Sequence, residues 1–337
     1  MMKLRRSIGF LAVCGIVAMA AATTENLLLS SFASAINGAK TLKSDYLVQE
    51  IGGTRDDYAV ALKKPNLARI DTPSELIVAN GKDVVTYDKA AKTYYRQLQT
   101  PQLLKGLFTT EPLRTWSGFF DPNAYNTDAA RDLGTVTRGD KTYDAVESQM
   151  DPRGDTTVTY FLDPGDKVAR QAEFFNKRGL ESNTILVRTR TLEMNGTAAD
   201  DLFTFTPPSS AKEVQLEDVI ASKWYLSLEE AEKVAAATHR NIFIDFTSAK
   251  SDPWKALLKE VLNTDKFKAE AKKKKLVLCR LDGKLFAHLL TRYKLSAVPS
   301  QAIVDVKGDY VDSNTGYVGA DVFYAWLDSV PEPSLFP

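Results

Sequence analysis

The sequence predicts two domains of different class: an α+β antiparallel sheet curved into a half-barrel under a helical lid, then a compact α/β domain. Three observations carry this expectation. The chain has 337 residues, enough for about two domains at roughly 150 residues each. Between Ser44 and Thr206, short runs rich in Val, Ile and Tyr are split by Gly-Gly, Pro and Asn-Gly, the punctuation of a meander. From Ser227 onward, strands alternate with helical stretches, as α/β domains do.

Met1 to Ala22 reads as a secretory signal. Lys3, Arg5 and Arg6 precede the apolar run "IGFLAVCGIVAM", and Ala18-Met19-Ala20 offers cleavage near Ala21 to Thr24. The expected location is therefore exported, periplasmic or in the cell envelope. "LAVC" also suggests lipid anchoring at Cys14, but apolar residues continue past that cysteine and little hydrophobic length precedes it. No other apolar run approaches the roughly 20 residues of a membrane span, so membrane association is expected to be indirect only. Lys plus Arg equals Asp plus Glu at 43 each, which leaves no net field to gather nucleic acid.

Leu28, Phe32 and Ile36 suit an amphipathic helix from Leu27 to Ala39, ended with the help of Gly38. "SDYLVQEI", "DDYAVALKKP", "LARIDTP", "SELIVAN", "DVVTYDKA" and "KTYYRQLQT" then read as strands, and "TYDAVESQMD", "TTVTYFLDP", "VARQAEFFNK", "NTILVRTRTLEMN" and "DLFTFTPP" as a second set. Between the sets, Pro101 to Tyr125 is strongly apolar and helical or irregular. Placed against a curved sheet, it makes a lid.

"KKPNLARID" at Lys63 to Asp71, "NGKDVVTYDKAAKTYYR" at Asn80 to Arg96 and "FTFTPPSSAKEV" at Phe203 to Val214 resemble the periplasmic carrier of the outer-membrane lipoprotein-sorting pathway and its superfamily. The resemblance spans roughly Thr24 to Val214. It implies an incomplete antiparallel barrel closed by helices, with a cavity for acyl chains. The cavity-lining candidates are Leu76, Val78, Val85, Tyr87, Tyr94, Leu104, Phe108, Trp116 and Phe119; an ordinary filled core has the same alternation. Carriers place an Arg before the Pro of "PNL" to hold the lid. Here Lys64 stands there, a point charge without the planar guanidinium fork.

"PPSSAKEVQLED" marks the boundary, near Pro207 to Ser222. The expected organisation is a signal over 1–22, a carrier-like domain over 23–210, a linker over 211–224 and a second domain over 225–337. Ser227 with Glu230 three residues later forms a capping box. "NIFIDFT" and "LVLCRLD" read as strands, "WKALLKEVLNTDKFKAEAKKKK" and "KLFAHLLTRYKL" as largely helical, "AVPSQAIVDVKGDYV" as a hairpin and "GADVFYAWLDSV" as a last helix.

"FIDFTSAKSDPWKALLKEV", "SAVPSQAIVDVKG" and "GYVGADVFYAWL" resemble the thioredoxin superfamily over roughly Tyr225 to Val330. Aligned on Trp254 and the "LxxEV" helix, the two redox cysteines fall at Asp252 and Lys255, where no thiolate can form. Asp252 is expected as an N-cap with Pro253 at the first helical position. The resemblance implies a cis-proline at Val298-Pro299, and an extended chain docking by strand addition along Ala297, Val298, Pro299 and Ser300.

Other chemistry finds little footing. The two cysteines are Cys14 and Cys279, and Cys279 reads as a buried thiol. His239 and His288 have no Cys/His cluster at metal-ligand spacing, so no metal is expected. There is no Gly-x-Ser-x-Gly elbow or Gly-rich phosphate loop, and no cofactor is expected. The lysines of "KAEAKKKK" fit a helix C-terminus. The expected protein is a non-enzyme that takes up an apolar or lipidated ligand and docks a peptide or protein partner. An envelope sensor or regulatory scaffold is the alternative, and a thiol-disulfide oxidoreductase is disfavoured.

Overall fold

The computed structural model describes residues 27–150, 156–178 and 181–333. The expected signal segment and Cys14 lie outside the described residues. The chain divides into two compact units. The first runs to Thr206 without Ala91–Gln97 and Arg178–Ser182, which group with the second, Pro207–Pro337.

A helix over 27–38 (α1) opens the described chain. It buries Leu29, Phe32 and Ile36, one stripe of the helical period. There follow β1 (Thr41–Glu50), β2 (Arg55–Lys63), β3 (Leu67–Asp71), β4 (Glu75–Asn80), β5 (Asp83–Asp88), β6 (Thr93–Leu98), α2 (Pro101–Gly106), a 3-10 turn (Leu113–Phe119), β7 (Ala130–Arg138), β8 (Lys141–Gln149), β9 (Thr156–Leu162), β10 (Ala169–Arg178) and β11 (Glu181–Met194). With the two-residue β12 (Lys212–Glu213) they form a twelve-stranded sheet in the order β12-β6-β5-β4-β3-β2-β1-β11-β10-β9-β8-β7. β12 adds parallel to β6, so the sheet is mixed, and its order has two ends.

Period-two burial sets its inner face. In β1, Leu42, Ser44, Tyr46 and Val48 are buried while their neighbours are not. Val158, Tyr160 and Leu162 of β9 and Phe174 of β10 join them, and all pack with α1 and with Leu104, Phe108, Trp116 and Phe119.

Several expectations need correction. β7 went unread because its residues are mostly exposed and it bulges at Gly134, whose φ is +76°; alternation fails at such an edge. "DLFTFTPP" is no strand: Asp200–Phe203 is a 3-10 turn that buries Phe203 against Ala61 and Ala198. The expected linker over 211–224 carries β12, α3 (Leu216–Ile220) and β13 (Trp224–Tyr225). Ile220 and Ala221 enter the cores of the second unit, so this stretch is part of the fold.

The second unit continues with α4 (Leu228–Thr238), β14 (Asn241–Thr247), α5 (Asp252–Leu257), α6 (Asp265–Lys273), β15 (Leu276–Asp282), α7 (Ala287–Arg292), β16 (Ser300–Val304), β17 (Tyr310–Thr315) and α8 (Ala320–Ser329). Its sheet runs β13-β15-β14-β16-β17, with the first three parallel and the last two antiparallel. Every residue of β14 is buried, because helices cover both faces. Ser227 caps α4, and His239 ends it in the left-handed region. The stretch after Trp254 is largely helical, in two pieces: a wide turn, Asn263 N–H to Leu258 C=O at 3.0 Å, closes the first, and Thr264 caps α6. Beyond α6, Lys274 Nζ donates to the carbonyls of Asp328 and Val330 at the end of α8, a basic group at a helix C-terminus.

Candidate functional site

The turn between β14 and α5 is where the sequence placed its degenerate redox motif. Ser251, not Asp252, is the N-cap: its hydroxyl accepts from Trp254 N–H at 3.3 Å. Asp252 is the first helical residue and Pro253 follows it, one position later than expected. The freed Asp252 carboxylate meets Lys255 Nζ at 2.8 Å, so an ion pair bridges the two positions at which the sequence reading aligned the redox cysteines. The pair is solvent-exposed, with Asp252 at 90 % side-chain exposure. Lys255 holds the Asp252 carboxyl below its ordinary pKa, through the hydrogen bond first and its charge second.

Beneath this turn lies a group the sequence reading missed. Asp245 is fully buried in β14. It accepts from Trp254 Nε1 at 3.1 Å, Arg280 Nε at 3.1 Å and Gln301 Nε2 at 3.3 Å. Gln301 in turn accepts from Asn314 at 2.9 Å. The Arg280 guanidinium stacks 4.0 Å from the Trp224 ring. Burial pushes the Asp245 pKa up, against the pull of Arg280 and the two neutral donors. The signal was a lone acid inside the otherwise apolar "NIFIDFT", since a buried carboxylate needs partners. The network joins α5 to β14, β15, β16 and β17, and fixes the turn without a disulfide.

Val298-Pro299 is cis. Ser300 pairs with Phe246, which brings this end of β16 to the end of β14 where the turn begins. Pro299 C=O accepts from Gly316 N–H at 2.9 Å, and Ser300 Oγ donates to Ala297 C=O at 2.6 Å. Ala297 is exposed and Val298 half-buried, with Pro299 and Ser300 buried. Among the described residues, the Val298 N–H and C=O have no hydrogen-bond partner. Two residues beyond Gly316, Val318 is 82 % exposed. Cys279, in β15, is buried, and burial raises its thiol pKa. Among the described residues, no three His, Cys, Asp or Glu side chains gather as a metal site.

The nine cavity candidates do not share one space. Leu104, Phe108, Trp116 and Phe119 sit in the core on the sheet's inner face. Leu76 faces Tyr87 and Val78 faces Val85 across β4 and β5, while the residues between them, Ile77, Ala79 and Val84, belong to that inner core. The four therefore lie on the opposite face, where Tyr87 meets Phe205 at 6.0 Å between ring centroids. Tyr94 donates to Glu213 at 3.2 Å. Lys64 Nζ donates to the Asn37 carbonyl at the end of α1 and lies 5.5 Å from the Phe119 ring centroid. It therefore touches two of the segments that cover the inner face.

Similar structures are known for each part of the chain. An uncharacterized conserved protein from Thermus thermophilus is 10% identical with a TM-score of 0.38, over 57% of this chain and 99% of that one. A domain named for outer-membrane lipoprotein sorting, from Vibrio parahaemolyticus, is 10% identical with a TM-score of 0.31, over 54% and 97%. A mutant thioredoxin from Halobacterium salinarum is 17% identical with a TM-score of 0.26, over 34% and 92%. No curated protein matches this chain. Residues 228–331 match the family model described as a thioredoxin-like domain, which here lacks the thiol pair of a disulfide-exchange site.

Proposed function

We propose that this is an exported, non-catalytic two-domain protein. Its first unit is a half-barrel that holds an amphiphilic ligand between the inner sheet face and a lid made of α1, α2 and the 3-10 turn. Its second unit docks an extended peptide along Ala297 to Ser300. One observation carries the ligand reading. Ser44 Oγ, Tyr46 Oη, Thr115 Oγ1, Trp116 Nε1 and Tyr160 Oη are all buried in the first unit without a hydrogen-bond partner. Buried polar atoms are rarely left unpaired, because each costs about 1–3 kcal/mol. Such groups suit a ligand with a polar end, such as an acyl ester, better than a bare hydrocarbon. Peptide docking is supported by the unpaired Val298 backbone groups and by the exposed Val318, two residues beyond the Gly316 that bonds Pro299.

Lipid extraction and native mass spectrometry of the purified protein test the first part. A copurified amphiphile, or saturable uptake of a fluorescent fatty acid that perturbs Trp116 emission, is the expected result. Protein that carries no ligand and takes up no probe would reduce the first unit to a structural body.

A further inference from the structure

The chain as a whole is neutral, yet its charges are not evenly spread. A groove of about 380 Å³ in the first unit is lined by Arg138, Lys141, Arg170, Arg188 and Arg190, with Asp140 as the one acid. These side chains come from the end of β7, the β7–β8 turn, the start of β8, the start of β10 and the middle of β11. Sequence spacing hides the cluster, since its members span more than fifty positions and converge only through the sheet order. The volume is that of a small-ligand site.

Three of the arginines are held from behind. Arg138 pairs with Glu173 and stacks 3.8 Å from the Phe161 ring centroid. Arg170 pairs with Asp166 and donates to Val168 C=O at 3.2 Å, and Arg190 meets Asp57 at 2.8 Å. None of those three carboxylates lines the groove. A guanidinium has five N–H donors and one carboxylate engages at most two, so donors remain for a second acid. Lys141 and Arg188 have no partner among the described residues. The buried Tyr143 accepts from Gln171 Nε2 at 3.3 Å, which leaves its own O–H proton to donate. In an ordinary cross-strand ladder, acids would alternate with bases and cancel them. Here like charges converge, a cost that a bound anion removes.

We propose that this groove binds a phosphate group, whether on a small molecule or as a lipid headgroup. A tetrahedral anion presents several acceptors to donors arriving from different strands, and arginine forks match phosphate oxygens in pairs. Pre-held side chains lose little freedom on binding. The inference stands apart from the ligand reading, because it concerns a different set of residues and a different chemistry.

The test uses the full chain with two probes: inorganic pyrophosphate followed by calorimetry, and sedimentation with phosphatidylglycerol vesicles against pure phosphatidylcholine. Saturable binding of one probe or both is expected at low salt, with a dissociation constant below about 1 mM. It should weaken as ionic strength rises past about 0.1 M. Pyrophosphate binding alone assigns a soluble phosphate; retention on anionic vesicles alone assigns a headgroup. Arg188→Gln combined with Lys141→Gln should lower affinity by about tenfold or more, and Arg188→Lys should recover only part of it. Neither side chain holds a structural partner, so circular dichroism of the double variant should match the parent. Failure of both probes to bind, or binding that the double variant leaves unchanged, overturns the proposal.

Discussion

Asp245→Ala is the most direct perturbation of the second unit. It removes the acceptor shared by Trp254, Gln301 and Arg280. The two neutral bonds contribute about 1 kcal/mol each. Losing one member of a buried ion pair costs about 3–5 kcal/mol, because the other charge is stranded. Arg280 keeps 22 % of its side chain exposed, so the low end of about 3 kcal/mol applies to the pair, and with the two neutral bonds the expected loss is about 5 kcal/mol. Urea unfolding followed by tryptophan emission suits the measurement, since Trp224, Trp254 and Trp326 all lie in this unit. Asp245→Asn keeps an acceptor and adds a pH signature. Burial raises the Asp245 pKa above its ordinary 3.8. A carboxyl raised by folding contributes its full stability below the unfolded value and loses it as pH rises through the folded one. The asparagine does not titrate, so its stability relative to the parent should climb as pH rises above 3.8. An alanine variant within about 0.5 kcal/mol of the parent, the range of ordinary surface changes, would refute the claim that this network holds the turn.

The helix start gives a paired comparison. Ser251→Ala should cost about 1 kcal/mol by losing the cap, whereas Asp252→Ala should leave the unfolding midpoint where it was; equal effects would return the cap to Asp252. The boundary gives another. A fragment beginning at Pro207 should show a cooperative far-ultraviolet melt, and one beginning at Ser222 should not, because it discards Ile220 and Ala221 from the core. Equal melts would restore 211–224 to the status of a linker.

The sequence was legible where burial follows a period. β1, β9 and β14 showed themselves because their apolar residues recur on one parity or fill both. β7 did not, since an exposed edge strand carries no such signal. The cavity candidates show a subtler limit. Alternation assigns parity, but it does not say which parity is covered. In β4 and β5 both are: the inner core takes Ala79 and Val84, and Val78 and Val85 are equally buried on the far face. The Asp245 network lay further out of reach. Its partners stand 9, 35 and 56 positions away, and only the strand order brings them together.

These distances bear on what the second unit retains. An exposed ion pair contributes little in solvent, so the Asp252–Lys255 bridge cannot replace a covalent one in strength. The support comes instead from below, where Trp254 on α5 is tied through Asp245 to Gln301 on β16. Gln301 lies two residues beyond Pro299, and Ser300 between them pairs with Phe246. The same bonds that fix the turn before α5 therefore fix the strand end at Val298, whose backbone groups stay open. Thiol chemistry and the proposed peptide docking would draw on separate parts of this architecture. With Asp252 and Lys255 at the turn there is no thiolate for the first, and the geometry proposed for the second does not depend on one.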